Sequence, residues 1–165
     1  MTALLPGGWS WQVKVVLVAA FALAMGFMEA MVVVYLRRLL GVLPLSAPLD
    51  PYLVRDGPGW LLINEQTREA ATLVMLATFA LLAGHTLRTR VGVFLAAFGI
   101  WDLGYYLWLN LLIGWPSGLG DRDVLFLIPA PWIAPVWVPM LLAAAMTAVG
   151  LWLMRAEERM AEVEA

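Results

Sequence analysis

Cysteine is absent from this chain, and histidine occurs once, at His85. The first absence excludes disulfides, thiolate metal sites and a cysteine nucleophile. The second excludes a haem held between two histidines and the Glu-x-x-His pairs of di-metal carboxylate bundles. Charge is scarce too: 13% of 165 residues, against ~25% in an ordinary soluble domain. The 10 Lys and Arg are dispersed among 12 Asp and Glu. No cluster is dense enough to hold nucleic acid or anionic headgroups. Gly-rich phosphate loops and a Ser-His-Asp set are also missing. No cofactor is implied, and an all-oxygen site for a hard cation is the one metal site left open. Nothing in the sequence argues strongly for an enzyme.

What is abundant is apolar surface: 63% of the residues are hydrophobic. A spanning helix needs ~20 mostly apolar residues. Segments 12–36, 68–87, 91–114 and 137–154 qualify. They lack the strict alternation of a membrane barrel. The expected fold is therefore an all-α integral membrane protein, a four-transmembrane-helix bundle in a single domain over 1–165. The apolar run after Lys14 continues through Leu36 without a polar cleavage region, so it reads as a first helix and not a cleaved signal. Segments 41–63 and 115–136 are apolar but interrupted by proline, and read as interfacial. Within the second, 124–136 reads as an interfacial or shallow re-entrant stretch. Residues 155–165 form a charged tail that continues the last helix. A multi-pass place in the cell membrane follows, with the lipid bilayer as first partner. The Lys and Arg count is tied between the two faces, and only the shortness of the Arg88–Arg90 loop, where the positive-inside rule is most reliable, tips the expectation to termini in the cytoplasm. Trp9, Trp11 and Trp152 would belt that face, and Trp60, Trp115 and Trp137 the other.

Two stretches look alike. Residues 22–41 and 95–114 align without a gap and match at Ala24/Ala97, Gly26/Gly99, Leu36/Leu109, Leu39/Leu112 and Gly41/Gly114. The alignment suggests two parallel-repeat helical hairpins, although apolar helices share a small alphabet and chance also produces such matches. It sets Glu29 on Asp102. Each acid lies ~18 Å along its helix from the closing glycine at 1.5 Å per residue. An ionisable group at that depth is a functional-site hypothesis by default. Rows of small residues (Ala22, Gly26 and Ala30; Gly92 and Ala96; Ala80 and Gly84; Ala144 and Ala148) predict close helix packing. Glu29 borders the first row and should point inward.

Helical spacing extends the site. Asp102, Tyr106 and Asn110 share one face of the third helix, with Tyr105 beside them. Asn64 is placed to cap the second helix, with Glu65 and Glu69 in its first turns. Arg68 beside Glu69 reads as a surface ion pair of little worth. Two carboxylates close together in a low dielectric do not both stay ionised, so Glu29 and Asp102 could share a proton. The structural alternative is that each acid is hydrogen-bonded glue between helices. Trp101, Trp108 and Trp115 recur every seven residues and read first as packing. The functional expectation is a buried carboxylate site for protons, cations or a small ligand, formed by Glu29, Asp102, Glu69, Tyr105, Tyr106 and Asn110. A homo-oligomer or partner membrane protein would complete a thin four-helix wall. The other classes are an accessory subunit of a larger complex and a membrane enzyme acting on a lipid-like substrate.

Overall fold

The computed structural model describes residues 10–47 and 56–164, with side chains as far as Ala156. Trp9, Pro48, Pro51 and Arg55 lie outside the described residues. Helix α1 spans Trp11–Leu39, α2 Gly59–Ala83, α3 Leu87–Ile113 and α4 Trp137–Glu164. Strands β1 (Arg122–Phe126) and β2 (Trp132–Pro135) form an antiparallel hairpin between α3 and α4. The protein is mostly helical, and α1, α3 and α4 (over Trp137–Ala156) are long and apolar enough to cross a membrane. The 25 residues of α2 have the length of a span but carry Glu65, Arg68 and Glu69.

Two local expectations change. The second helix starts at Gly59, not near 68, and Pro58 takes the cap position expected for Asn64. Proline stops a helix from continuing upstream of it but does not prevent one from starting just after it. Residues 122–135 are a β-hairpin, not an irregular re-entrant stretch. Arg122 faces Pro135, Asp123 faces Ala134, Val124 faces Ile133, and a bulge shifts the pairing before Phe126 meets Trp132. Pro129, Pro131 and Pro135 forbid a helix, while Val124-Leu125-Phe126 and Trp132-Ile133 suit a pleated ribbon. Backbone bonds from Val136 N–H to Asp121 C=O (2.9 Å) and from Trp137 N–H to Leu119 C=O (3.0 Å) fix the base of the hairpin on α4.

Helix α3 is the central element. Half of its apolar span is buried, against 22% for α1 and for α4. It packs on α1, α4 and α2, while α1 meets α2 through side chains such as Phe21 and Phe79. The close approach of α1 depends on Gly26. A Cβ there would stand 2.9 Å from Trp101 O and 3.0 Å from Tyr105 N. On the other side, a Cβ at Gly150 would strike Ala96 N and Gly92 O. The α4 row in contact with α3 is Ala143, Thr147 and Gly150, whereas Ala144 and Ala148 are exposed. Three consecutive alanines at 143–145 leave spacing alone unable to choose the inner face. The repeated glycines thus have different partners: Gly26 abuts α3, and Gly99 abuts Ala143 and Thr147 of α4. Gly41 and Gly114, expected to end the first and third helices, have left-handed backbones at φ 72° and 69°.

The end of the bundle nearest the termini is packed with apolar groups. Val18, Ala22, Leu76, Ala80, Val93, Ala97 and Met154 form one buried cluster, reaching Trp101. Phe21 and Phe79 stack at 3.9 Å and draw α2 onto α1. Trp152 is exposed near this end, and Trp60, Trp132 and Trp137 are exposed near the other. Trp115 does not join that outer belt. It is 1% exposed and lies under the Arg37 guanidinium at 4.5 Å. The expected tryptophan packing stripe is present: Trp101 is buried, and Trp108 donates to Leu23 C=O at 3.1 Å.

Candidate functional site: a polar cavity beneath the hairpin

A cavity of about 250 Å³ lies in the half of the bundle that carries the hairpin. Helix α1 contributes Glu29 and Arg37, α2 contributes Glu65, Arg68, Glu69 and Thr72, and α3 contributes Asp102, Tyr105 and Tyr106. Asp123 enters from the hairpin. Val33, Phe98, Trp132, Leu142 and Met146 make much of the apolar wall. The α2 residues 65, 68, 69 and 72 follow the i, i+3, i+4, i+7 spacing of one helical face. That face turns its charges to the cavity and leaves Ile63, Val74, Met75 and Leu82 exposed.

Arg68 is the hub of the polar wall. Its two terminal nitrogens meet both oxygens of Glu29, at 2.5 and 2.9 Å, and its Nε donates to Glu65 at 2.8 Å. A planar guanidinium matches a carboxylate in this two-point fashion. The pairing overturns one expectation: Arg68 joins Glu29 and Glu65, not its neighbour Glu69. Glu29 is therefore held as the partner of a cation while it lines the same cavity as Asp102. The sequence could not show this, because Glu29 and Arg68 are 39 residues apart and meet only when α2 folds over α1.

Glu69 has a different task. Its Oε2 accepts the N–H of Leu127 at 2.8 Å, while Gln66 donates to the C=O of the same residue at 3.0 Å. Together these side chains grip one peptide of the hairpin and pin it to α2. The other oxygen of Glu69 is buried and receives no hydrogen bond.

Asp123 is 8% exposed and closes the site from β1. Its Oδ2 accepts from Tyr106 at 2.9 Å and more loosely from Tyr105 at 3.4 Å. Its Oδ1 accepts from Val124 N–H at 2.9 Å. Burial pushes its carboxyl up to about 6, against the hydroxyl and N–H donors and the nearby Arg37, which favour the charged form. Arg37 itself is 1% exposed and donates to the carbonyls of Leu45 (2.9 Å) and Ala47 (2.8 Å).

Asp102 stands apart from these networks. It lines the cavity, yet it accepts no hydrogen bond from any described residue. Of the other expected site residues, Glu29, Glu69, Tyr105 and Tyr106 line the same cavity. Asn110 does not: it is exposed and donates to Pro116 C=O at 3.1 Å. A span of two helical turns carries it past the end of the cavity to the loop. Sequence reasoning missed Asp123 and Arg37 and assigned Glu65 to a helix end. The signal available for Asp123 was an acid immediately before an apolar run, which also reads as an ordinary turn. Five carboxylates and two guanidiniums line the cavity.

No family model, curated protein or solved structure matches this chain.

Proposed function

We propose that the protein is a four-span membrane protein whose cavity binds a small ligand through a cationic or hydrogen-bond-donating group, with Asp102 as its acceptor. The observation that carries this reading is the Asp102 carboxyl itself, set on a cavity wall with no donor among the described residues. The buried, unpartnered oxygen of Glu69 adds a second acceptor. An acceptor that meets no protein donor, buried in Glu69 and facing the cavity in Asp102, gains a hydrogen bond from a ligand that supplies one. The two guanidiniums are already engaged: Glu29 and Glu65 share Arg68, and Arg37 lies near Asp123, so the five carboxylates leave the cavity with an excess of negative charge.

Ligand binding is favoured over passage of ions through a single chain. Beyond Asp102 the described residues of the bundle form an apolar cluster that includes Trp101, Ala97 and Val93. With the termini in the cytoplasm, the cavity opens towards the outer leaflet. Octylamine and octanoate are suitable probes, because they share a tail and differ in charge. In native mass spectrometry of the detergent-extracted protein, octylamine should bind and octanoate should not. Asp102→Asn should weaken octylamine binding about tenfold, the effect of one lost interaction of ~1.4 kcal/mol. Equal binding of both probes, or an Asp102→Asn variant that binds like the wild type, would refute the reading.

A further inference from the structure

The cavity has a side entrance. Trp132 and Leu142 both line it, yet they are 52% and 48% exposed. Residues that are at once wall and surface mark a mouth. Trp132 belongs to β2 and Leu142 to α4, so the mouth lies where the hairpin meets α4. Helices α2 and α4 both pack on α3 but do not pack along each other. Behind the mouth, Phe98 and Met146 continue an apolar floor inward towards Asp102.

The position of the mouth identifies the phase that feeds it. Leu142 lies five residues inside α4 from Trp137, hence ~7.5 Å along the helix. Trp60, Trp132 and Trp137 are exposed at this end, as tryptophans are at a membrane interface. The mouth therefore opens just below headgroup level and faces acyl chains. Its flank on α4 is apolar: Leu141, next to Leu142, is 63% exposed.

Size sets what the cavity can enclose. Pockets that swallow a whole small molecule span ~300–1,000 Å³, and this one measures about 250 Å³. A headgroup and the first carbons fit, and a longer tail must leave through the mouth. Resting on the ligand-binding reading above, we infer that the ligand is a single-chain amphiphile with an ammonium head, which enters sideways from the bilayer between α2 and α4 beneath the hairpin. The head reaches Asp102 and the tail lies in the cleft over Met146 and Leu142.

The test uses the full chain in phosphatidylcholine nanodiscs. The probe is dodecylamine carrying a photoreactive diazirine in mid-chain, and the labelled residues are located by peptide mass spectrometry. Labelling is expected on α4 around Leu142 and Met146 and on the facing side of α2. Asp102→Asn should reduce it about tenfold. Leu142→Trp should block the mouth and reduce it similarly, and Trp132→Ala supplies a second mouth variant should the first fail to fold. Butylamine should compete poorly, because it lacks a tail. Competition by butylamine as effective as by unlabelled dodecylamine would overturn the bilayer route and leave the ligand-binding reading intact. So would Asp102-dependent labelling confined to sites away from the mouth. Loss of any Asp102 dependence for both amines would overturn the ligand-binding reading with it.

Discussion

Arg68→Met removes the cation that organises one wall of the cavity, and its effect can be bounded from the geometry. Arg68 and Glu29 are joined at two points, with side chains 30% and 20% exposed. Exposed pairs are worth ~0–1 kcal/mol, whereas removing one partner of a fully buried pair costs ~3–5 kcal/mol. At this partial exposure the expected loss is about 2 kcal/mol, which includes the penalty of leaving Glu29 and Glu65 facing each other without a cation. The pairwise part comes from a double-mutant cycle with Glu29→Gln, measured by reversible unfolding in mixed detergent–SDS micelles. The two single losses should exceed the double loss by about 1–2 kcal/mol. Glu69→Gln in place of Glu29→Gln is the control, since Glu69 bonds the hairpin and not Arg68. Its cycle with Arg68→Met should be closer to additive. A Glu29 coupling below about 0.3 kcal/mol, within the usual additivity error, refutes the claim that this pair joins α1 to α2.

Three further outcomes follow from particular contacts. Asp123 is raised from 3.8 to about 6, so folding favours its protonated form; its contribution is full below pH 4 and is lost as pH rises through about 6. The difference in thermal stability between wild type and Asp123→Asn should change across that window by up to about 3 kcal/mol, and a pH-independent difference would contradict it. Gly150→Leu should cost at least about 2 kcal/mol by forcing α4 off the α3 backbone, whereas Gly118→Ala, which meets nothing within 4 Å, should stay within about 0.5 kcal/mol in the same unfolding assay. The chain has no native cysteine to confuse labelling, so Leu43→Cys and His85→Cys can be probed with an impermeant maleimide. Reaction from opposite faces is expected if α2 crosses the membrane, and reaction from one face rules out the fourth span.

The three helices long and apolar enough to cross a membrane were legible because they rest on run length and composition, which need no knowledge of packing. The acids on α1 and α3 were legible for a related reason: a charge amid apolar residues is conspicuous in one dimension. Their partners were not. Arg68 looked like a neighbour of Glu69, and only the fold of α2 over α1 turns it to Glu29. Arg37 gave no signal of a place in the site, because burial of a helix-end arginine against Trp115 depends on a tertiary contact. The hairpin was hidden by its prolines, which argue against helix without specifying what replaces it. Helix faces were readable where small and large residues alternate, as on α1. They were ambiguous along the alanine run of α4, where one side of the helix resembles the other.

The structural alternative for Asp102 is that it serves as polar glue between helices, and the contacts around it argue otherwise. Glue requires a donor, and none of the described residues supplies one. The helices that meet α3 do so through backbone-close glycine and alanine contacts at Gly26, Gly99 and Gly150, which do not use the carboxyl. An acid that makes no bond costs stability wherever it is shielded from water. Replacing it with a residue of similar shape should therefore help the empty protein. Asp102→Leu is expected to raise unfolding stability by about 1 kcal/mol while abolishing amine binding, the trade of stability for function that binding sites commonly show. Asp102→Asn should bind poorly without losing stability. If Asp102 instead held the bundle together, both variants would be destabilised by about 1 kcal/mol or more, as for other lost buried hydrogen bonds. The direction of the stability change thus separates an acceptor kept for a ligand from one kept for the fold.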